Sequence, residues 1–193
     1  MSFASVPATA AWRHQGGRTG FEVVYFQTHG GGYRIEGWTT AVEDGGTWAV
    51  EYAIDLDTGW VTRSARVRGR SRAGSSSRLL ETDGAGRWLV DGQGAGHLDG
   101  CLDVDLESSA LTNALPVHRM ALAPGARQAA PAAYVRAAGL AVERLEQTYV
   151  RIPGEATRQC YDYSAPAFDF SCRLVYDESG LVVDYPGIAV RAG

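Results

Sequence analysis

Gly20-Phe21-Glu22-Val23-Val24-Tyr25-Phe26-Gln27-Thr28 runs into His29-Gly30-Gly31-Gly32, and a second extended stretch follows from Tyr33 to Val42. The first stretch is rich in Val, Phe and Tyr, which suit a pleated surface. Side chains alternate along a strand, so Phe21, Val23 and Tyr25 share one face and Val24 and Phe26 the other. Both faces are therefore apolar. The glycine run supplies the turn, and the whole predicts a hairpin.

The same pattern continues along the chain. Thr47 to Leu56 and Trp60 to Arg70 are further extended runs, set apart by Asp44-Gly45-Gly46 and Asp57-Thr58-Gly59. Arg78 to Glu81 and Arg87 to Asp91 flank Asp83-Gly84-Ala85-Gly86, and His97 to Leu106 reads as another strand. Ser108 to Leu115 predicts one short helical turn, and alanine-rich Ala129 to Leu140 a loop or brief helix. Strands resume with Ala141 to Val150, Thr157 to Tyr163, Phe168 to Tyr176, Leu181 to Asp184 and Ile188 to Arg191. Turn signals about every ten residues predict an antiparallel meander. That many strands cannot stay flat and open, and no long amphipathic helix is offered to cover them. The sheet must curl into a barrel, a half-barrel or two layers. The expectation is an all-β fold, one domain spanning residues 1–193, built on a strongly curved antiparallel sheet with one or two short helical turns.

Composition narrows the function. Apolar residues make up 45% of the 193 residues and charged residues 21%, a globular balance. The net charge of −4 leaves no overall excess of positive charge for nucleic acid or an anionic membrane surface. All 18 basic residues are arginine, which excludes Schiff-base lysine chemistry and the phosphate-loop lysine. Three cysteines, an odd count, argue against a disulfide scaffold. The start at Met1 has no basic leader, and no segment reaches the length of a membrane span. Together these features favour the cytoplasm.

Few residue groups suggest chemistry. On an extended strand, His97, Asp99, Asp103 and Asp105 would share a face and could hold a cation. An alternating strand with one wet face explains them better. Asp103 and Asp105 also stand at a spacing compatible with an acid–base pair. A buried carboxylate needs a partner, however, and an arginine would serve. Arg63 falls on the apolar face of its strand beside Val61, Ala65 and Val67, so it is expected to pair with Asp103 or Asp105. Arg66, Arg68, Arg70 and Arg72 lie together on the opposite face. They suit phosphate or sugar groups, although a solvated face or a charge-guarded edge strand is the favoured reading. Cys160 and Cys172 are symmetric about Pro166, so a tight hairpin there would oppose them. Trp38, Trp48, Trp60 and Trp88 sit on expected strands and fit core filling better than a ligand groove. Gly92, Gly94 and Gly96 lack a following helix and form a turn, not a dinucleotide site.

Three blocks carry a family resemblance. Phe170-Ser171-Cys172-Arg173-Leu174-Val175-Tyr176-Asp177-Glu178-Ser179-Gly180-Leu181-Val182-Val183-Asp184-Tyr185-Pro186-Gly187 resembles the closing segment of the bacterial family called putative glycolipid-binding. Leu56-Asp57-Thr58-Gly59-Trp60-Val61-Thr62-Arg63 resembles its tryptophan-threonine-arginine strand. Asp103-Val104-Asp105-Leu106 through Thr112-Asn113-Ala114-Leu115-Pro116-Val117-His118-Arg119 resembles its aspartate strand, Thr-Asn turn and proline; the family usually has an arginine where His118 stands. The resemblance implies a spiral β-roll similar to carriers of bacterial lipoproteins and lipids, an open half-barrel with an apolar concave face. It implies binding of a glycolipid or other amphipathic small molecule, without cofactor, metal or catalysis. Acyl chains would lie on the concave face. Arg63, Asp103, Asp105, Thr112, Asn113, Arg119, Trp60 and Tyr185 are the candidate ligand residues. Two alternatives stay open: a hydrolase acting on a sugar or lipid derivative through Asp103 and Asp105, and a ligand-free module in which these residues form a buried polar network.

Overall fold

The alternation of Gly20 to Thr28 is realised in a computed structural model that describes residues 3–154 and 158–193. The strands of the first half are β1 (Thr9–His14), β2 (Arg18–His29), β3 (Gly32–Glu43), β4 (Gly46–Leu56), β5 (Thr62–Ser71), β6 (Gly74–Thr82), β7 (Trp88–Val90), β8 (Gln93–Gly94) and β9 (Asp103–Leu106). A 3-10 turn at Leu111–Asn113 leads into a short helix α1 (Ala114–Met120). Then come β10 (Arg127–Ala129), β11 (Ala132–Val135), β12 (Val142–Leu145), β13 (Thr148–Ile152), β14 (Gln159–Ala165), β15 (Phe170–Tyr176), β16 (Val182–Tyr185) and β17 (Ala189–Arg191).

Among the described residues, fourteen strands form one sheet in the order β10-β13-β14-β15-β16-β17-β1-β2-β3-β4-β5-β6-β7-β8. It is antiparallel, curved and not closed, as expected. The last strand lies beside the first, with Trp12 opposite Arg191, so the two ends of the chain close the middle of the sheet. Inward-facing residues alternate as the pattern requires: Val24, Ile35, Val50, Ile54, Val67 and Leu80 are all fully or almost fully buried.

The concave face is filled, and here the expectation of an open apolar trough fails. Residues Ala95 to Met120 and Ala130 to Gln147 fold inward as a plug. Its small sheet, β12-β11-β9, contains a parallel pair, Asp103 to Leu106 against Ala132 to Val135. A parallel neighbour needs a crossover, and α1 with β10 provides it. The alanine-rich stretch is therefore not a loop or helix: Ala132 and Ala133 are fully buried in β11, where larger side chains would not fit between layers. His97 is likewise not on a strand. It belongs to a 3-10 turn, Gly96–Leu98, and is exposed along with Asp99, so the proposed metal face does not form. Among the described residues no group of three or more His, Cys, Asp or Glu could hold a metal ion.

Three further details differ from expectation. A register shift opposite Asp55 and Leu56 leaves Arg63 as the extra residue between Thr62 and Ser64. This bulge turns Arg63 outward, half-exposed and 4.0 Å from Asp57, away from both Asp103 and Asp105. β5 is an interior strand, so its arginines do not guard an edge. The turn at Pro166–Phe168 is longer than a symmetric hairpin, which sets Cys160 against Val175 and Cys172 against Tyr163; all three cysteines are free. The expected strand Thr157 to Tyr163 runs from Gln159 as β14, and Thr157 lies outside the described residues.

Candidate functional site

The plug is bonded to the sheet by polar side chains on otherwise apolar strands. Glu22 is the clearest case. It shares the inward face of β2 with Val24 and Phe26 and is fully buried. Its carboxylate accepts hydrogen bonds from the Tyr52 hydroxyl at 2.6 Å, from Ser109 and from the Ala110 backbone N–H at 2.8 Å. Burial raises the Glu22 carboxyl above its usual range, and these donors pull it back. Tyr52 reaches Glu22 because Gly37 stands beside it on β3: a Cβ at Gly37 would lie 2.1 Å from the tyrosine ring. A lone glutamate in the otherwise apolar run Phe21 to Phe26 is the sequence's sign of such a bond, since a buried carboxylate needs partners.

The family-like block from Asp103 to Arg119 is the core of the plug. Arg119, from the last turn of α1, donates two hydrogen bonds to Asp103, at 2.9 and 2.6 Å. Burial pushes the Asp103 carboxyl up, opposed by Arg119. The Thr112 hydroxyl donates to Asp105 at 2.7 Å and accepts from the Leu106 N–H at 3.2 Å. Asn113 accepts the Tyr149 hydroxyl at 3.0 Å on its side chain and the Tyr176 hydroxyl at 3.1 Å on its carbonyl. Trp60 has φ of +64°, strained for a large side chain. That conformation swings the indole inward, stacked on His118 with ring centres 3.6 Å apart and planes 8° apart. Burial pushes the His118 imidazole down to about 4, so it is neutral.

Between the plug and the sheet lies a cavity of about 320 Å³. Asp105, Asn113 and Tyr185 line it, whereas Arg63, Asp103, Thr112, Arg119 and Trp60 do not. Asp103 is thus held by Arg119 away from the cavity, and Asp103 and Asp105 do not face it as a pair. The aromatic wall comprises Tyr134, Tyr163, Phe168, Phe170 and Tyr185. Phe168 is 41% exposed and marks the mouth. The cavity's aromatic and arginine residues came from separate strands and turns, with no sequence motif to join them.

The charges in the cavity are largely spent. Arg18 pairs with Glu43 at 3.0 Å and donates to the Glu107 carbonyl at 2.7 Å. Arg136 pairs with Glu143 at 3.0 Å and lies 5.2 Å from the ring centres of both Tyr134 and Phe168. Among the described residues Asp105 has no cationic partner. Burial, with the Asp103 charge nearby, raises its carboxyl to about 6, although the Thr112 bond opposes this. Behind the Arg18–Glu43 pair, His14 is buried with neither ring nitrogen bonded, and the Arg18 Nε is also unbonded. Burial and then the Arg18 charge push His14 down to about 4, so it is a neutral donor and acceptor. The cavity therefore presents the Asp105 carboxyl beside flat aromatic surface, and both arginines that line it are paired. Such a lining suits a neutral, hydroxyl-rich group with an apolar face.

The comparisons agree with the fold. A DUF1089 family protein from Pseudomonas aeruginosa is 28% identical, with a TM-score of 0.74 over 100% of this chain and 97% of that one. A beta-barrel-like protein of the domain of unknown function DUF1849 from Brucella abortus is 12% identical, with a TM-score of 0.51 over 95% of this chain and 92% of that one; it shows likeness of fold alone. No curated protein matches. Among the described residues no helix is long and apolar enough to cross a membrane. The model of the family described as "Putative glycolipid-binding" matches residues 9–191, so the chain belongs to that family.

Proposed function

We propose that this protein binds the sugar head group of a glycolipid, or a similar amphipathic glycoside, in the cavity around Asp105, and does so without catalysis. The carrying observation is the lining: the Asp105 carboxyl, without a cationic partner among the described residues, lies beside the rings of Tyr134, Tyr163, Phe168, Phe170 and Tyr185, while both lining arginines are already paired. The family's description supports the same class of ligand. The size of the cavity refines it. About 320 Å³ is near the lower end of the roughly 300–1,000 Å³ of small-molecule pockets. One sugar ring with an apolar stub fits that space. The plug occupies the rest of the concave face, so the acyl chains leave past Phe168 instead of lying along the sheet. In this reading Asp105, Asn113 and Tyr185 contact the ligand. Thr112, Asp103 and Arg119 hold the plug that presents them, Trp60 packs beneath, and Arg63 takes no part.

The test is calorimetric titration with octyl glucoside below its micelle concentration, with octyl phosphocholine as the control. Saturable binding of the glucoside alone is expected. Phe170→Ala should weaken it about tenfold, since a ring stack is worth about 1–1.5 kcal/mol. Equal binding of both amphiphiles, or no effect of Phe170→Ala, would refute the reading. A second reading rests on the Asp105 carboxyl near 6, a range suited to a general acid. Release of nitrophenol from nitrophenyl glycosides, lost in Asp105→Asn, would favour hydrolysis over carriage.

A further inference from the structure

The outer face of the sheet carries a second feature, remote from the cavity's lining groups. Phe21 and Tyr25 on β2 and Trp38 and Val42 on β3 point outward and are 39%, 45%, 45% and 50% exposed. Tyr25 packs edge-on to Trp38 at 5.9 Å, and Val23 pairs with Trp38 across the strands. Trp38 is opposite Glu51 on β4, and Glu51 is opposite Arg68 on β5. A shallow groove runs across these strands, lined by Trp38, Glu51, Arg68, Arg70, Ser75 and Ser77.

Arg66, Arg68, Arg70 and Arg72 are all exposed within seven residues of a chain whose net charge is −4. On a strand, same-face neighbours stand about 7 Å apart, so this row repels itself. Only Arg68 has an acidic partner among the described residues, Glu51 at a loose 3.8 Å, while Arg70 donates to the Ser75 hydroxyl at 2.9 Å. β5 is not an edge, so edge protection does not explain the row. The overall charge argues against anionic partners; the local charge argues for one on this face.

We infer that the outer face of β2 to β6 docks on an anionic lipid bilayer, with lipid phosphates seated between Arg68, Arg70 and the Ser75 and Ser77 hydroxyls while Trp38, Tyr25 and Phe21 enter the interfacial region. Arginine forks bind phosphate through paired hydrogen bonds. Tryptophan and tyrosine favour the boundary between head groups and acyl chains. A second copy of the chain is the poorer occupant: a two-fold contact centred on the row sets arginine against arginine, and two convex sheets touch along little area. Docking through this face is independent of what the cavity holds.

The experiment is co-sedimentation of the full chain with phosphatidylcholine vesicles, with and without phosphatidylglycerol, at low and high salt. Sedimentation with the anionic vesicles alone, reversed by salt, is expected. Trp38 is the exposed tryptophan, the other four being at most 8% exposed, so a blue shift in emission on adding vesicles reports this face. One arginine near an anionic surface is worth about fivefold in partitioning, so the Arg68→Ser/Arg70→Ser double variant should bind about thirtyfold more weakly. Trp38→Ser should bind more weakly and lose the blue shift. Circular dichroism and octyl glucoside binding check that the variants remain folded. The inference is overturned if the wild type ignores anionic vesicles, if neutral vesicles bind it equally, if the variants bind as the wild type does, or if the patch proves to be covered by a second copy in solution. None of those results would touch the cavity reading, which stands or falls on the glucoside titration.

Discussion

Asp105 is where the chemistry of single residues bears most on function. Its carboxyl is raised from an ordinary 3.8 to about 6 because burial disfavours the charge. A raised carboxyl favours the native state while it is protonated. Its contribution is therefore fully present at low pH and is lost as the pH rises from about 4 through about 6. The gap corresponds to about 3 kcal/mol. In urea unfolding across that range, the wild type should lose about that much relative to Asp105→Asn and run parallel to it above. Ligand binding should show the opposite slope. Sugar hydroxyls donate to the charged carboxylate, so affinity should rise as the pH passes 6, with proton uptake by the buffer detectable in calorimetry. Arg119 answers a different question. Arg119→Ala strands the buried Asp103 charge and should cost about 3–5 kcal/mol in chemical denaturation. Asp103→Leu/Arg119→Met, which removes both charges, should recover much of that loss, because the pair's attraction only offsets its desolvation.

At the level of elements, β2, β3 and β4 show how the sequence builds both surfaces of one sheet. Alternation gave the inward Val24 and Phe26 and the outward Phe21 and Tyr25, and it is legible because the period of a strand is two. What the period cannot give is a bond between layers. Glu22, Tyr52 and Gly37 act as one device across β2, β4 and β3. Gly37→Ala should force Tyr52 off Glu22 and destabilise by about 1–3 kcal/mol, the usual range for overpacking, with a lower urea midpoint. β5 shows how a pattern misleads. A strict two-residue period puts Arg63 with Ala65 and Val67, but the bulge after Thr62 breaks that period. A single inserted residue inverts a side chain without changing any neighbour's identity, so no count along the sequence reveals it. Arg63→Ala should consequently leave both stability and glucoside binding almost unchanged.

For the molecule as a whole, closure depends on β17 lying between β16 and β1. A chain stopped at Gly187 leaves two edges in the middle of the sheet, and aggregation in size-exclusion chromatography is the expected result. The curved antiparallel sheet itself was written in the sequence. Short apolar runs, glycine turns and the lack of covering helices leave few other ways to bury so much apolar surface. The blocks from Leu56 to Arg63, Asp103 to Arg119 and Phe170 to Gly187 likewise pointed to the family. Tertiary structure alone decided that the concave face is filled by the plug, that Asp103 belongs to Arg119, and that Asp105 is left facing a small cavity. The reason is physical: alternation and turn chemistry act between near neighbours, whereas the pairing of buried charges and the shape of a cavity depend on residues tens of positions apart, and only packing brings those together.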